Sequence, residues 1–175
     1  MIEIQNRKET KFMGMTGYYF RADEDMMKKI REQSVGAVVF DENNGNYLMD
    51  IDKTWHAIHY TLTGTAYEIE EDDDIGHLIL GGIPVSDEDM GYGPARLFTK
   101  EQVVLLNNAL KEWDETLFRQ NFNMEGMLEE EIYPLIEGQD EEEEFFSYVW
   151  SYFVWMKEFF QEAAEEEQYV LTFLA

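Results

Sequence analysis

Phe145, Val149, Tyr152, Phe153, Met156, Phe159, Phe160 and Ala163 fall three or four residues apart. That spacing is buried efficiently only if the segment is a long helix with one side against a core. Trp150 and Trp155 broaden the stripe. Asp140 to Glu144 place five negative charges at its start, where the helix dipole favours them. The run Tyr169-Val170-Leu171-Thr172-Phe173-Leu174 follows at once and reads as a terminal strand. Such a stripe can also serve a partner, but core packing is the expectation. A wide helix feeding a strand fits an α+β chain.

The rest of the chain fits that frame. Gly14-Met15-Thr16-Gly17-Tyr18-Tyr19-Phe20-Arg21 reads as a first strand. Asp23 stands at an N-cap position before a helix over 24–33, with acids early and Lys28, Lys29 and Arg31 late. Residues 35–40 form a short apolar run, a strand or buried segment, and 42–46 a turn. Residues 47–51 approach a helix over 53–62 that Gly64 closes. Residues 70–74 are too charged for burial, and Leu78-Ile79-Leu80 reads as a buried strand entering a glycine-rich segment. Thr99 and Gln102 form a capping-box pattern before Val103, Leu106, Leu110 and Trp113 at helical spacing. The expected fold is one compact α+β domain over 13–175, a mixed or antiparallel sheet packed with helices. Residues 1–12 read as an N-terminal extension, a candidate for flexibility.

Charge restricts the partners. Of the net −25, residues 1–53 contribute little, with eight basic and ten acidic residues, while 54–175 hold five basic and twenty-eight acidic. A field of that sign repels nucleic acid and favours a basic protein partner; solubility alone is the plainer explanation. There is no cysteine, no run of eighteen apolar residues and no signal-peptide pattern at the start, so a cytoplasmic protein with no membrane contact is expected.

Two segments carry residue types suited to chemistry. Asp52, His56 and His59 are spaced i, i+4 and i+7, and on a helix they share a face. Two imidazoles and a carboxylate suit zinc or another divalent metal. However, Ile51, Trp55, Ile58 and Leu62 form the core-facing stripe, so both histidines border the core, where a hydrogen-bonded structural role is commoner. Asp50 and Asp52 precede the helix and are expected to cap it. The second segment combines Gly81-Gly82 with Asp87, Glu88, Asp89, Tyr92 and Arg96. Its glycines permit tight turns or close ligand approach, and Arg96 is expected to pair with one of the three acids. The segment matches neither a P-loop nor a dinucleotide fingerprint. If Trp55, His56 and His59 meet Asp87, Glu88, Asp89, Tyr92 and Arg96, they line one polar cleft.

Three stretches carry a family resemblance. They are Met13-Gly14-Met15-Thr16-Gly17-Tyr18, the segment from Asp50-Ile51-Asp52 through Trp55-His56-Ala57-Ile58-His59-Tyr60 to Gly64, and the segment from Gly81-Gly82 through Gly91-Tyr92-Gly93-Pro94-Ala95-Arg96. In these the chain resembles the YfbM-like family, small bacterial proteins classed as a domain of unknown function. The resemblance implies a compact α+β fold and a soluble bacterial protein, with no established reaction or catalytic residue. The first expectation is therefore a non-enzymatic acidic binding module of immunity or regulatory type, with no cofactor. The alternatives are a metal-assisted or hydrolase-like enzyme using the His/acid cleft, and a binder of a small polar ligand. Oligomeric state is not legible.

Overall fold

Strand β1 (Gly17–Ala22) alternates its side chains between two cores, and that alternation organises the molecule. The computed structural model describes residues 14–175, so the extension at 1–12 lies outside the described residues. The strands are β2 (Leu48–Asp50), β3 (Ile83–Asp89), β4 (Pro94–Phe98) and β5 (Tyr169–Leu174), and with β1 they form a five-stranded antiparallel sheet in the order β2-β1-β5-β4-β3. The C-terminal strand thus lies at the centre, paired with β1 from Gly17↔Leu174 to Ala22↔Tyr169 and with β4 through Arg96↔Thr172. Central position explains its nearly continuous apolar sequence, because both of its faces are covered.

On one face, Tyr19, Phe98 and Val170 pack with helices α3 (Trp55–Thr63), α5 (Lys100–Lys111) and α8 (Glu142–Glu165). Helices α6 (Glu115–Asn121) and α7 (Met124–Glu129) extend this larger core through Phe118 and Met127. The stripe on α8 is buried there along its centre, with Val149, Phe153, Met156 and Phe160 wholly covered, but Trp150 and Tyr152 are only half-buried and Trp155, expected to broaden the stripe, is 56% exposed because it lies beyond the arc that the core covers. On the other face, Phe20, Ala95, Leu171 and Phe173 meet α1 (Glu24–Glu32) and α2 (Val35–Val39) through Met27, Ile30, Val35 and Val39. The fold is α+β, with the aromatic helix and terminal strand in the expected order.

Local signals account for several boundaries. Asp23 accepts the N–H of Met26 at 2.8 Å and starts α1. Thr99 and Gln102 complete a reciprocal capping box on α5. Gly64, at φ 73, closes α3. Residues 42–47 and 52–54 are turns of 3-10 helix, and 48–50, expected only as an approach to a helix, is the edge strand β2.

Of two short apolar runs, 35–39 is the buried segment rather than the strand that its composition also allowed, and 78–80 differs from expectation. Residues 35–39 are helical because Ser34 accepts the N–H of Ala37 while Glu88, from β3, accepts those of Val35 and Gly36 at 2.7 and 3.1 Å. That external cap overrides the strand preference of the β-branched valines. Leu78-Ile79-Leu80 belongs to a helical turn, α4 (His77–Leu80), rather than to a strand. Its carbonyls are taken up from across the fold: Tyr19 donates its hydroxyl to Leu78 O at 2.6 Å, and Arg96 bonds Ile79 O at 3.1 Å and Leu80 O.

Candidate functional site

Helix α3 puts Trp55, His56 and His59 into one neighbourhood. The His56 ring stacks on Trp55 (centroids 4.6 Å apart, 8° between planes) and lies 4.8 Å from the Tyr67 ring. His56 Nδ1 accepts the N–H of Tyr133 at 3.0 Å, so that nitrogen carries no proton; Nε2 faces Ala66 O at 2.9 Å and donates to it. The imidazole is neutral and fully engaged, and burial lowers its pKa against a smaller opposing effect of the Ala66 carbonyl. It has no lone pair left for a metal.

His59 differs. It is 1% exposed, and among the described residues neither ring nitrogen has a hydrogen-bond partner. Burial, followed by the neighbouring His56, pushes its pKa down to about 4; the Glu68 backbone lies near enough to oppose the shift but outside hydrogen-bond geometry. The segment Gly64-Thr65-Ala66-Tyr67-Glu68 borders an open concavity of about 420 Å³ on this side of the molecule, with Glu130 opposite.

Asp52 does not join the histidines, and it does not cap α3 either, which begins without a side-chain cap. It sits at φ 50, its N–H donates to Asp50 Oδ1 at 2.6 Å, and its Oδ2 accepts the Tyr148 hydroxyl at 2.7 Å. Spacing along a helix placed Asp52 beside His56, but the chain is not yet α-helical at residue 52, so the i, i+4 geometry fails. Among the described residues no group of three or more His, Asp or Glu is placed to hold a metal ion.

The glycine-rich segment is a hairpin, β3–β4, and its acids are spent on backbone. Glu88 caps α2. Asp89 Oδ1 accepts the N–H groups of Gly91 at 2.9 Å and Gly93 at 3.1 Å, which hold its carboxyl below the usual range. Both glycines have positive φ, 136° and 102°, where a side chain would be strained. Asp87 is exposed, and Tyr92 is 54% exposed beside the end of β5. Arg96 pairs with none of the three acids; it bonds the carbonyls that end α4. Glu88 joins the α1/α2 side of the sheet and α3 belongs to the other, so a cleft uniting Glu88 with His56 and His59 is not assembled.

Three contributors to these arrangements carried no signal at the sequence level: Tyr148, Tyr67 and the backbone of Tyr133. Tyr148 lies on α8 beside the aromatic stripe, and its partner 96 residues away sets it apart from the core aromatics.

A separate concavity lies where α7 meets the start of α8. About 560 Å³ in volume, it is lined by Glu125, Glu129, Glu137, Asp140 and Glu142, with Met124 and Leu128 between them.

Sheet order, the α3 histidines and the glycine hairpin define a small α+β domain closed by its own C-terminal strand. The chain belongs to the family described as domain of unknown function DUF1877, whose model matches residues 13–173. It is similar to protein YfbM of Escherichia coli, 27% identical over 133 residues that cover 74% of this chain and 78% of that protein. The crystal structure of YfbM from Escherichia coli, described as a protein of unknown function, shares the fold with a TM-score of 0.72 at 22% identity, over 91% of this chain and 99% of that one. The YfbM-like resemblance is thereby confirmed. Among the described residues no helix is long and apolar enough to cross a membrane.

Proposed function

We propose that the chain is a non-enzymatic acidic binding module, of immunity or regulatory type, which docks a basic protein partner at the concavity between α7 and α8. The observation that carries this reading is the lining itself: five carboxylates around the apolar side chains of Met124 and Leu128. No Lys or Arg occurs between Arg119 and Lys157, while ten acids do. Crowded carboxylates repel one another, and a cationic partner relieves that repulsion and is steered toward it. Met124 and Leu128 provide apolar area that makes the contact more than electrostatic. The same field argues against a nucleic-acid ligand. A hydrolase-like or metal-assisted reaction draws no support from the His/acid pattern, because Asp52, Glu88 and His56 are each engaged elsewhere.

The test is partner capture from the source cell at low and high salt, with the chain and with the paired substitutions Glu125→Lys and Glu129→Lys, both on exposed positions. A partner held at low salt, released at high salt and lost by the substituted chain is expected. Absence of a salt-sensitive partner, or equal capture by the substituted chain, would overturn the reading.

A further inference from the structure

The Gly81-Gly82 pair opens the glycine hairpin, and its second glycine borders a cavity. Gly82 has φ +87, and a Cβ there would come within 3.0 Å of the Leu97 carbonyl oxygen, so the position stays bare. The cavity beside it measures about 250 Å³ and lies between the segment leading into α4, the end of β4 and α5. Phe98 and Leu106 form its floor, 1% and 3% exposed, and Leu105 borders it while half exposed. Glu71, Asp74 and His77 supply polar groups to the same cavity.

These groups discriminate between ligands. Two carboxylates with no Lys or Arg among the lining residues disfavour any anion. No ion pair among the described residues involves Glu71 or Asp74, so neither has to surrender a partner. His77, the histidine that sequence motifs left aside, offers an imidazole that in its neutral form accepts a hydrogen bond from an ammonium. Leu105, half exposed, offers contact to an apolar body above the closed floor of Phe98 and Leu106. The volume is slightly below that of ordinary drug-sized sites, which sets the size of the occupant.

We propose that this cavity binds a small organic cation: a primary amine or guanidine on a short apolar body, the body against Leu105 over the floor that Phe98 and Leu106 close, and the cationic head toward Glu71, Asp74 and His77. The site is separate from the acidic wall of α7 and α8 and does not depend on a protein partner there.

The experiment uses the full chain and two-dimensional NMR, titrated with three probes of matched size: 2-phenylethylamine, 2-phenylethanol and phenylacetate. Saturable shifts at Phe98, Leu105 and His77 are expected with the amine, with the alcohol and the carboxylate each weaker by about tenfold or more. Joint substitution Glu71→Gln and Asp74→Asn, at exposed positions, is expected to bring the amine down to the level of the alcohol. Leu105→Arg places a guanidinium at the mouth and is expected to abolish the amine response while the thermal melt is retained. Equal responses to amine and carboxylate, an unchanged amine response in the neutralised variant, or shifts centred on other residues would overturn the proposal.

Discussion

Tyr148 donates its hydroxyl to Asp52 Oδ2 at 2.7 Å, and that hydroxyl oxygen also receives the N–H of Lys53 at 3.3 Å. One side chain of α8 therefore holds the turn that launches α3. Burial, then the bond to the Asp52 carboxylate, raises the Tyr148 pKa, so the hydroxyl stays protonated as the donor. The bond secures a residue at φ 50, a conformation that costs a non-glycine residue on the order of 1 kcal/mol or more. Tyr148→Phe is expected to destabilise the fold by about 1.5–3 kcal/mol, the range for bonds to charged groups. Urea denaturation checks it, with the midpoint falling and the slope unchanged.

His59 makes stability depend on acidity. Its folded pKa of about 4 lies below the ordinary value of 6.5, so the unfolded chain binds the extra proton between the two. The contribution is complete above 6.5 and is lost as pH falls toward 4, amounting to about 3 kcal/mol at most. His56 shifts in the same direction and adds to the loss. His59→Leu removes two unpartnered buried nitrogens and is expected to stabilise the chain at neutral pH by about 1 kcal/mol. Denaturation midpoints of the two proteins, followed from pH 7 to pH 4, should diverge steadily. A constant gap across that range would count against the assignment.

Glu88 reaches across from β3 to cap a helix that has only five residues of its own. Removing the carboxylate leaves the N–H groups of Val35 and Gly36 without their acceptor, and Ser34 then caps alone. Glu88→Ala is expected to cost about 1–2 kcal/mol and to raise amide hydrogen exchange selectively in α2.

Arg96 closes α4 with a planar fork that bonds two successive carbonyls. Lysine presents a point charge and cannot span both, so Arg96→Lys is not a conservative change here. It is expected to lower stability by about 2 kcal/mol. Arg96→Met, which keeps the stem but bonds neither carbonyl, should lower it further. Thermal melts of the two variants rank them.

What could be read along the chain had its causes within one helical turn or one strand. Asp23, Thr99 with Gln102, and Gly64 act on backbone groups three or four residues away, and the α8 stripe and β5 carry their own periodicity. Leu78-Ile79-Leu80 lacked such a cause: three apolar residues suit a helical turn or a strand equally, and Tyr19 and Arg96 are the groups that complete the helix. Asp52 failed for a related reason. Its helical spacing to His56 presumed that the helix had already begun, whereas the bond from Tyr148 holds residue 52 in a left-handed turn.

The sequence by itself determined the α+β class, the long buried helix, the terminal strand, the principal caps, the acidic field and the family motifs. Tertiary structure decided what the polar residues of those motifs touch. A strand sends neighbouring side chains to opposite faces, so sheet order and register place Glu88 with α2 and Arg96 with α4, although only eight positions separate them. Burial then determined that His56 has two partners and His59 none, and no local pattern encodes that distinction, because the groups that satisfy a buried imidazole come from distant segments.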